Sequence, residues 1–272
     1  MTKILEDKVE TSVRQIREAW RLMSRDAPGR REAFVDGIDY IFTGLPIPFF
    51  NVAVLTEPSI SASALKSSAD AARAWAGETG EAPPWFLIVT HEALEPGVDA
   101  SAILGECGLA AALPLTGMLA DRIPAVDGVP EGLRLDTTIT DADCAAVLDI
   151  NSAAYEMDLG SSKPVLGRQA FWNDHVAALG RVDGGTAVSS AAVMMVDGYR
   201  YVALVATDPG HRRRGYAEAV MRHALQSAAA TYGEVPSVLH ATDAGRPIYA
   251  RMGYDTISTH TLFMDAAMLH GH

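Results

Sequence analysis

Apolar residues recur along the chain at spacings that predict both helices and strands. In residues 9–23 they fall three or four positions apart, which predicts an amphipathic helix. Strand-like runs occupy residues 38–43 and 49–56, and residues 85–90 resemble a buried strand. An alanine-rich helix is predicted at residues 63–76, between the second and third of these strands. The first half of the chain is therefore expected to combine helices with a sheet.

The second half repeats the order of the first. VAVLTEP, residues 52–58, corresponds to VALVATDP, residues 202–209, with one residue inserted, and an alanine-rich stretch follows each. Farther along, ILGECGL at residues 103–109 takes the place of IYARMGY at residues 248–254. Chance matching of short apolar runs is the alternative. Self-similarity on this scale favours two copies of one fold over a solenoid, whose repeats are much shorter.

A linker rich in Gly and Pro separates the copies. It begins at residue 125 and reads AVDGVPEGLR. We place the boundary near residue 132, which predicts one domain at residues 1–132 and another at residues 133–272.

The copies differ just after the matching strands. In the second copy a strand at residues 201–206 and a turn at 207–210 lead through three arginines and Gly215 into a helix at 216–231. A helix N-terminus offers unsatisfied amides, and glycine lets an anion approach them, so the segment suits a pyrophosphate. A solvated basic helix start is the alternative. The first copy has SISASALKSSAD here, with neither glycine nor arginine, and neither copy carries a Rossmann or Walker motif.

The composition of the chain limits the classes of molecule that it is expected to bind. The chain has 22 basic and 34 acidic residues and a formal charge of −12, so nucleic acid is an unfavourable partner and a cationic or amine-bearing substrate is favoured. No apolar run reaches the roughly 18 residues of a membrane helix. The charged start lacks the apolar core of a signal peptide, which predicts a cytoplasmic protein without a membrane partner. Two cysteines predict neither a disulfide framework nor a metal site.

Two segments of the second copy resemble the motifs of a known family. VATDPGHRRRGYAEAVMRHAL looks like motif A of the GNAT acyltransferases, and its R/Q-x-x-G-x-G/A signature is met by Arg212, Gly215 and Ala217. LHATDAGRPIYARMGY resembles motif B at the expected distance. The resemblance covers residues 133–272 directly and residues 1–132 through the repeat. It implies an α+β fold of two GNAT-like domains, each a mixed, mostly antiparallel sheet flanked by helices, with the second domain catalytic and the first degenerate.

The resemblance also implies how acetyl-CoA would bind as the co-substrate, with no metal. The strand would separate from its neighbour near its end, and there the pantetheine arm would pair in sheet fashion with the backbone of Val205, Ala206 and Thr207. The pyrophosphate would lie on the loop and the helix start. The residues implied at that loop are Arg212, Arg213, Arg214, Gly215, Tyr216 and Ala217.

The chemistry implied is direct transfer of an acetyl group from acetyl-CoA to a primary amine of a small molecule or peptide. Pro247 and Gly253 bound a predicted short helix at residues 248–252, and the resemblance implies that Tyr249 on it protonates the departing CoA thiolate. A tyrosine packed between helix and sheet is the alternative.

The base that takes the amine proton is less defined. The central strand carries no carboxylate, which leaves Glu156, Asp158, His240 or a chain of waters. This gap motivates an alternative function, a non-catalytic acyl-CoA-binding regulatory protein. A homodimer is compatible with either function.

Overall fold

The computed structural model describes residues 2–124, 128–137 and 140–269, so part of the predicted linker, residues 125–127, lies outside the described residues. In the first part of the chain the helices and strands, in order, are α1 (Thr2–Ser24), β1 (Arg31–Val35), β2 (Ile38–Phe42), β3 (Asn51–Leu55), α2 (Ala62–Gly77), β4 (Phe86–Thr90), α3 (Ala100–Glu106) and β5 (Leu109–Ala120). In the remainder they are β6 (Arg134–Thr137), α4 (Asp141–Tyr155), α5 (Lys163–Leu166), β7 (Val176–Val182), β8 (Thr186–Val196), β9 (Tyr199–Thr207), α6 (Tyr216–Tyr232), β10 (Ser237–Ala241), α7 (Arg246–Arg251), β11 (Asp255–Asp265) and α8 (Ala266–Leu269).

The chain divides into two compact units. Unit 1 comprises Met1–Met118, Ala241–Pro247 and Thr256–His272, and unit 2 comprises Leu119–His240 and Ile248–Asp255. Most of β11 thus belongs to unit 1, although it lies at the far end of the sequence. The boundary near residue 132 stays a prediction about the two sequence repeats.

Unit 1 is built on a mixed sheet with the strand order β1-β2-β3-β4-β11-β5. β1, β2 and β3 are antiparallel neighbours, β3 and β4 are parallel, and β11 runs antiparallel to β4. Every residue of β2, β3 and β4 is buried, including the polar Asp39 of β2 and Asn51 of β3 within otherwise mostly apolar strands. α2 covers this sheet with a stripe of buried small and apolar residues at helical spacing, namely Leu65, Ala69, Ala72 and Ala76.

A buried histidine on β11 holds polar groups of unit 1 together. The His260 ring is 2% exposed, and Nδ1 lies 3.0 Å from Thr90 Oγ1 of β4. Nε2 lies 2.8 Å from Ser258 Oγ, which also donates to Ser12 Oγ of α1 at 2.6 Å. Burial lowers the pKa of His260 to about 3, so the ring is neutral at physiological pH. A side chain at Gly117 would collide with Ser258 and Ser12, which explains the glycine in the neighbouring strand β5.

This histidine predicts a pH dependence of stability. The unfolded chain binds a proton at His260 near pH 6.5, whereas the folded chain resists protonation down to about pH 3. Stability from this group is therefore complete above pH 6.5 and falls by about 1.4 kcal/mol per pH unit as the pH drops through that window. We expect His260→Gln to flatten the slope of the free energy of unfolding between pH 6.5 and 4, measured by denaturant titration. An unchanged slope in His260→Gln would contradict the prediction.

Unit 2 has the strand order β10-β9-β8-β7-β6. β6 to β9 are antiparallel neighbours, and β9 and β10 are parallel. Its two long helices cover opposite faces of this sheet. Asn151 of α4 donates a hydrogen bond to Ser190 of β8. Ser189, the neighbour of Ser190 in β8, and its partner Gly180 in β7 lie on the side of the sheet that carries Val220 of α6. Because neighbouring residues of a strand point to opposite faces, α4 and α6 cover different faces.

Candidate functional site

The parallel strands β9 and β10 pair over only a short length. Their registered pairs end at Val202 and Leu239, although β9 continues to Thr207. Beyond the last pair, Leu204 adopts a left-handed φ of 53°, and the pairing of β9 with β8 shifts register opposite it. Such a bulge bends a strand and ends regular pairing. The end of β9 therefore leaves its parallel partner at the segment that the resemblance implies for pantetheine.

Hydrogen bonds show which backbone groups face this open edge. The Asp208 N–H donates to Val188 C=O at 2.8 Å, and Ala206 C=O accepts from Ser189 Oγ at 2.8 Å. Both residues therefore turn their backbone groups toward β8. Because the direction alternates along a strand, Val205 and Thr207 turn theirs toward the open edge. Val205 and Thr207, two of the three residues implied for sheet-like pairing, therefore face the open edge. The backbone of the third, Ala206, faces β8.

The loop after β9 is ordered by Asp208. Its carboxylate accepts from His211 Nδ1 at 3.1 Å and from Gly210 N–H at 2.9 Å, across a 3-10 turn at Pro209–His211. These two hydrogen bonds, that from His211 foremost, hold the pKa of Asp208 below its ordinary value. The carboxylate is thus ionised and bound within the loop at neutral pH.

The loop ends in a helix start that no side chain caps. Gly215 is the N-cap of α6, with a left-handed φ of 79°, and makes no side-chain cap. In unit 1 the N-cap of the corresponding helix α2 is Ser61, whose hydroxyl accepts from Ala64 N–H at 3.2 Å. The first amides of α6 are therefore offered to a ligand, in the place where α2 satisfies one of its own.

The other residues implied for the loop have varied surroundings. Arg213 and Arg214 are exposed beside the helix start, and Ala217 is partly buried in its first turn. Tyr216 packs its ring among Leu133, Val182 and Val188, so only its backbone faces the loop side of the helix. Arg212 reaches back instead, donating from Nη2 to Ala154 C=O at 2.9 Å and from Nε to Thr207 C=O at 3.4 Å.

Tyr249 lies on the short helix α7, which begins two residues before the predicted helix. The helix ends before Gly253, whose φ is 99°. Its side chain is 8% exposed and meets Tyr254 edge-on, with ring centroids 6.2 Å apart. Burial, followed by the nearby phenols of Tyr155 and Tyr254, raises the pKa of Tyr249 well above its ordinary value of 10. The phenol therefore keeps its proton at neutral pH. Leu104, on α3, is the fully buried counterpart of Tyr249 in unit 1.

The three candidate bases lie in different settings. His240 is on β10, one residue beyond the last pair with β9, and its Nδ1 lies 3.0 Å from the hydroxyl of Tyr201. Glu156 is exposed and ends α4 with a left-handed φ of 53°. Asp158 is exposed and accepts from Gly160 N–H at 2.7 Å, which closes a turn. His240 is the candidate that the fold places where the strands part.

Sequence analysis did not single out Tyr155, the last residue of α4. Its hydroxyl donates to Val205 C=O at 3.0 Å, directly at the open edge of β9. The residue stands next to Glu156, whose carboxylate, unlike a phenol, is a candidate base at neutral pH. The signal that could have found it is its helical spacing of four from Asn151, which also contacts β9, through Leu204 C=O at 3.2 Å.

The equivalent edge of unit 1 is closed. After β3 and β4 end, Ile60 and Leu94 still form a parallel bridge. Ile60 N–H donates to Ala93 C=O at 2.7 Å, and Glu95 N–H donates to Ile60 C=O at 3.0 Å. The segments that follow β3 and β4 in unit 1 are thus hydrogen-bonded to each other.

A splayed pair of parallel strands beside a glycine-led helix start defines a fold of the acyl-CoA N-acyltransferase type, and comparison with known proteins gives the family. Residues 137–257 match the family model described as "Acetyltransferase (GNAT) domain". That segment of the chain belongs to the GNAT acetyltransferase family. No curated protein matches the chain in sequence.

Solved structures extend the likeness to nearly the whole chain. A GCN5-related N-acetyltransferase from Kribbella flavida is 24% identical with a TM-score of 0.69, covering 93% of this chain and 95% of that one. A tandem GNAT protein from the clavulanic acid biosynthesis pathway is 12% identical with a TM-score of 0.55, covering 96% and 94%. A functionally unknown conserved protein from Staphylococcus epidermidis is 12% identical with a TM-score of 0.60, covering 89% and 97%. The predicted fold class, a mixed and mostly antiparallel sheet flanked by helices in a GNAT-like fold, is therefore confirmed.

Two features are absent from the residues that the structure describes. None of their helices is long and apolar enough to cross a bilayer. Within the same residues, no group of three or more His, Cys, Asp or Glu side chains is arranged to hold a metal ion.

Proposed function

We propose that this protein is an N-acetyltransferase that moves an acetyl group directly from acetyl-CoA to a primary amine. The observation that carries the proposal is the open edge of β9 at Val205 and Thr207, which continues into the uncapped helix start at Gly215. Together they offer sheet-like pairing for a pantetheine arm and helix amides for a pyrophosphate. Membership of residues 137–257 in the GNAT family supports the same assignment.

The reaction needs one proton removed and one supplied. The amine nitrogen attacks the thioester carbonyl carbon, a C–N bond forms, and the C–S bond then breaks to release a thiolate. Tyr249 is suited to give that thiolate a proton, because its buried phenol stays protonated at neutral pH. The proton lost by the amine goes to a base, for which His240 is the group to test first, because it lies where β9 and β10 part.

Unit 1 is proposed to be non-catalytic. Its strand edge is bridged at Ile60 and Leu94, its helix start is capped by Ser61, and Leu104 replaces the acid. Each difference removes one function that acetyl transfer requires. Calorimetric titration with acetyl-CoA tests the proposal as a whole: one site per chain supports it, two sites refute a degenerate first unit, and no binding by a folded chain refutes the acetyltransferase.

The acid role of Tyr249 makes a separate prediction. Tyr249→Phe should lower turnover by about 10²-fold or more, because the thiolate loses its proton donor. The affinity for acetyl-CoA should stay within about 2-fold, which is the smallest effect that one ordinary hydrogen bond represents. The measurement is release of free CoA thiol against a panel of amines and N-terminal peptides, which also tests the amine acceptor class that the acidic chain favours.

Tyr232→Phe is the control for that measurement, since Tyr232 is an exposed tyrosine at the end of α6 in the same unit. Turnover should be unchanged in it. Full turnover by Tyr249→Phe would remove the acid role. A chain that binds acetyl-CoA but acetylates no amine or peptide in the panel would instead support the acyl-CoA-binding regulatory alternative.

A further inference from the structure

Both backbone carbonyls on the open edge of β9 already accept hydrogen bonds from side chains of unit 2. The Tyr155 hydroxyl donates to Val205 C=O at 3.0 Å, and Arg212 Nε donates to Thr207 C=O at 3.4 Å. These are the carbonyls that sheet-like pairing with an incoming amide would use. A ligand that pairs with this edge therefore meets groups that are already engaged.

The two donors act on the same end of α4. Tyr155 is its last residue, and Arg212 Nη2 donates to the C=O of Ala154, the residue before it. The last carbonyls of a helix have no partner within the helix, so Arg212 satisfies one of them from the loop. The final turn of α4 is thus bonded to the edge of β9 at two points.

The contacts of α4 with β9 differ in how firmly they are held. Asn151, one turn before Tyr155, is buried and donates to Leu204 C=O at 3.2 Å and to Ser190 Oγ at 3.0 Å. Tyr155 lies on the same helical face, yet its side chain is 49% exposed. Asn151 therefore anchors the helix, while Tyr155 is partly open to solvent, although burial around its hydroxyl raises the pKa of the phenol above its ordinary value.

We propose that Tyr155 competes with acyl-CoA for Val205 C=O, so that the tyrosine hydroxyl occupies this carbonyl until a pantetheine amide N–H takes its place. The proposal rests on the proposed function and adds a residue that sets acyl-CoA affinity. The displaced phenol belongs to the helix that leads directly into Glu156 and Asp158, two of the candidate bases for the amine proton. Acyl-CoA binding is thereby linked to a rearrangement on the acceptor side.

The test compares Tyr155→Phe with the unaltered chain in calorimetric titrations with two probes. Acetyl-CoA carries the pantetheine arm, whereas adenosine 3′-phosphate 5′-diphosphate contains only its nucleotide half. We expect Tyr155→Phe to bind acetyl-CoA about 2- to 10-fold more tightly, because that is the factor one neutral hydrogen bond represents. The nucleotide half should bind equally well to both, and Tyr232→Phe should match the unaltered chain with both probes.

The outcomes separate this proposal from the function on which it rests. If the unaltered chain binds acetyl-CoA and Tyr155→Phe binds it equally or more weakly, the competitor role is wrong while the acetyl-CoA site stands. An equal gain for the nucleotide half would also overturn it, since the effect would then not involve pantetheine. If the folded, unaltered chain does not bind acetyl-CoA, the proposed function itself fails. Thermal unfolding of Tyr155→Phe establishes that the variant is folded in each comparison.

Discussion

Gly215→Glu should weaken acetyl-CoA binding by at least about 100-fold, measured by calorimetric titration. The substitution places a carboxylate at the N-cap of α6, where the proposed pyrophosphate would lie, and two anions at one helix start repel each other. Folding should persist, because a Cβ at this position meets only Pro130 at 3.7 Å. The remaining cost is the left-handed backbone at φ 79°, on the order of 1–3 kcal/mol for a side chain other than glycine.

Gly198→Glu is the matched control for that experiment. Gly198 has nearly the same φ, 80°, has no atom within 4 Å of an added Cβ, and lies at the opposite end of β9. It therefore adds the same charge and the same backbone strain away from the loop. Acetyl-CoA binding should be unchanged in Gly198→Glu. If both variants lose binding alike, or if Gly215→Glu binds as the unaltered chain does, the pyrophosphate site is wrongly assigned.

Removal of residues 256–272 should unfold unit 1. β11 lies between β4 and β5 in its sheet and buries Leu262 and Phe263 completely or nearly so. Its loss would expose the edge of β4, in which every residue is buried, and would leave Ser12 and Thr90 without their histidine. Loss of several large buried side chains and a polar network exceeds the stability of an ordinary domain.

Hydrogen exchange measures this outcome by region. Amides of β2, β3 and β4 should lose protection in the shortened chain. Removal of residues 267–272 alone is the control, because it spares β11, and of these residues the structure describes 267–269, which are exposed. Retained protection in β4 after the longer deletion would show that β11 is dispensable to unit 1.

Local patterns predicted eight of the nineteen helices and strands that the structure describes. The helix expected at residues 63–76 is observed at Ala62–Gly77, and the one expected at 216–231 is observed at Tyr216–Tyr232. Both depend on periodicity and end residues, which act within a few positions. The place of β11 could not be predicted in this way, because its pairing with β4 joins residues about 170 positions apart, such as Thr90 and His260. No local pattern carries that register.

The sequence predicted those parts of the candidate site that the backbone forms. The strand end, the loop and the glycine at the helix start all lie within one short motif, and the structure places them consecutively. Side-chain directions were not predictable: Tyr216 packs into the core, and Arg212 turns back to Ala154 and Thr207. Tyr155 was overlooked because its contact with Val205 depends on how α4 lies across β9, about 50 residues farther along the chain.

The left-handed backbone of Leu204 keeps the end of β9 apart from β10 in unit 2. A leucine in this conformation is disfavoured by roughly 1–2 kcal/mol, and its carbonyl is held by the buried side chains of Asn151 and Ser190. The bend in β9 is therefore fixed by the interior of the protein and does not depend on what binds outside. An incoming pantetheine arm would find the two strands already apart, and its binding free energy would not be reduced by the work of separating them.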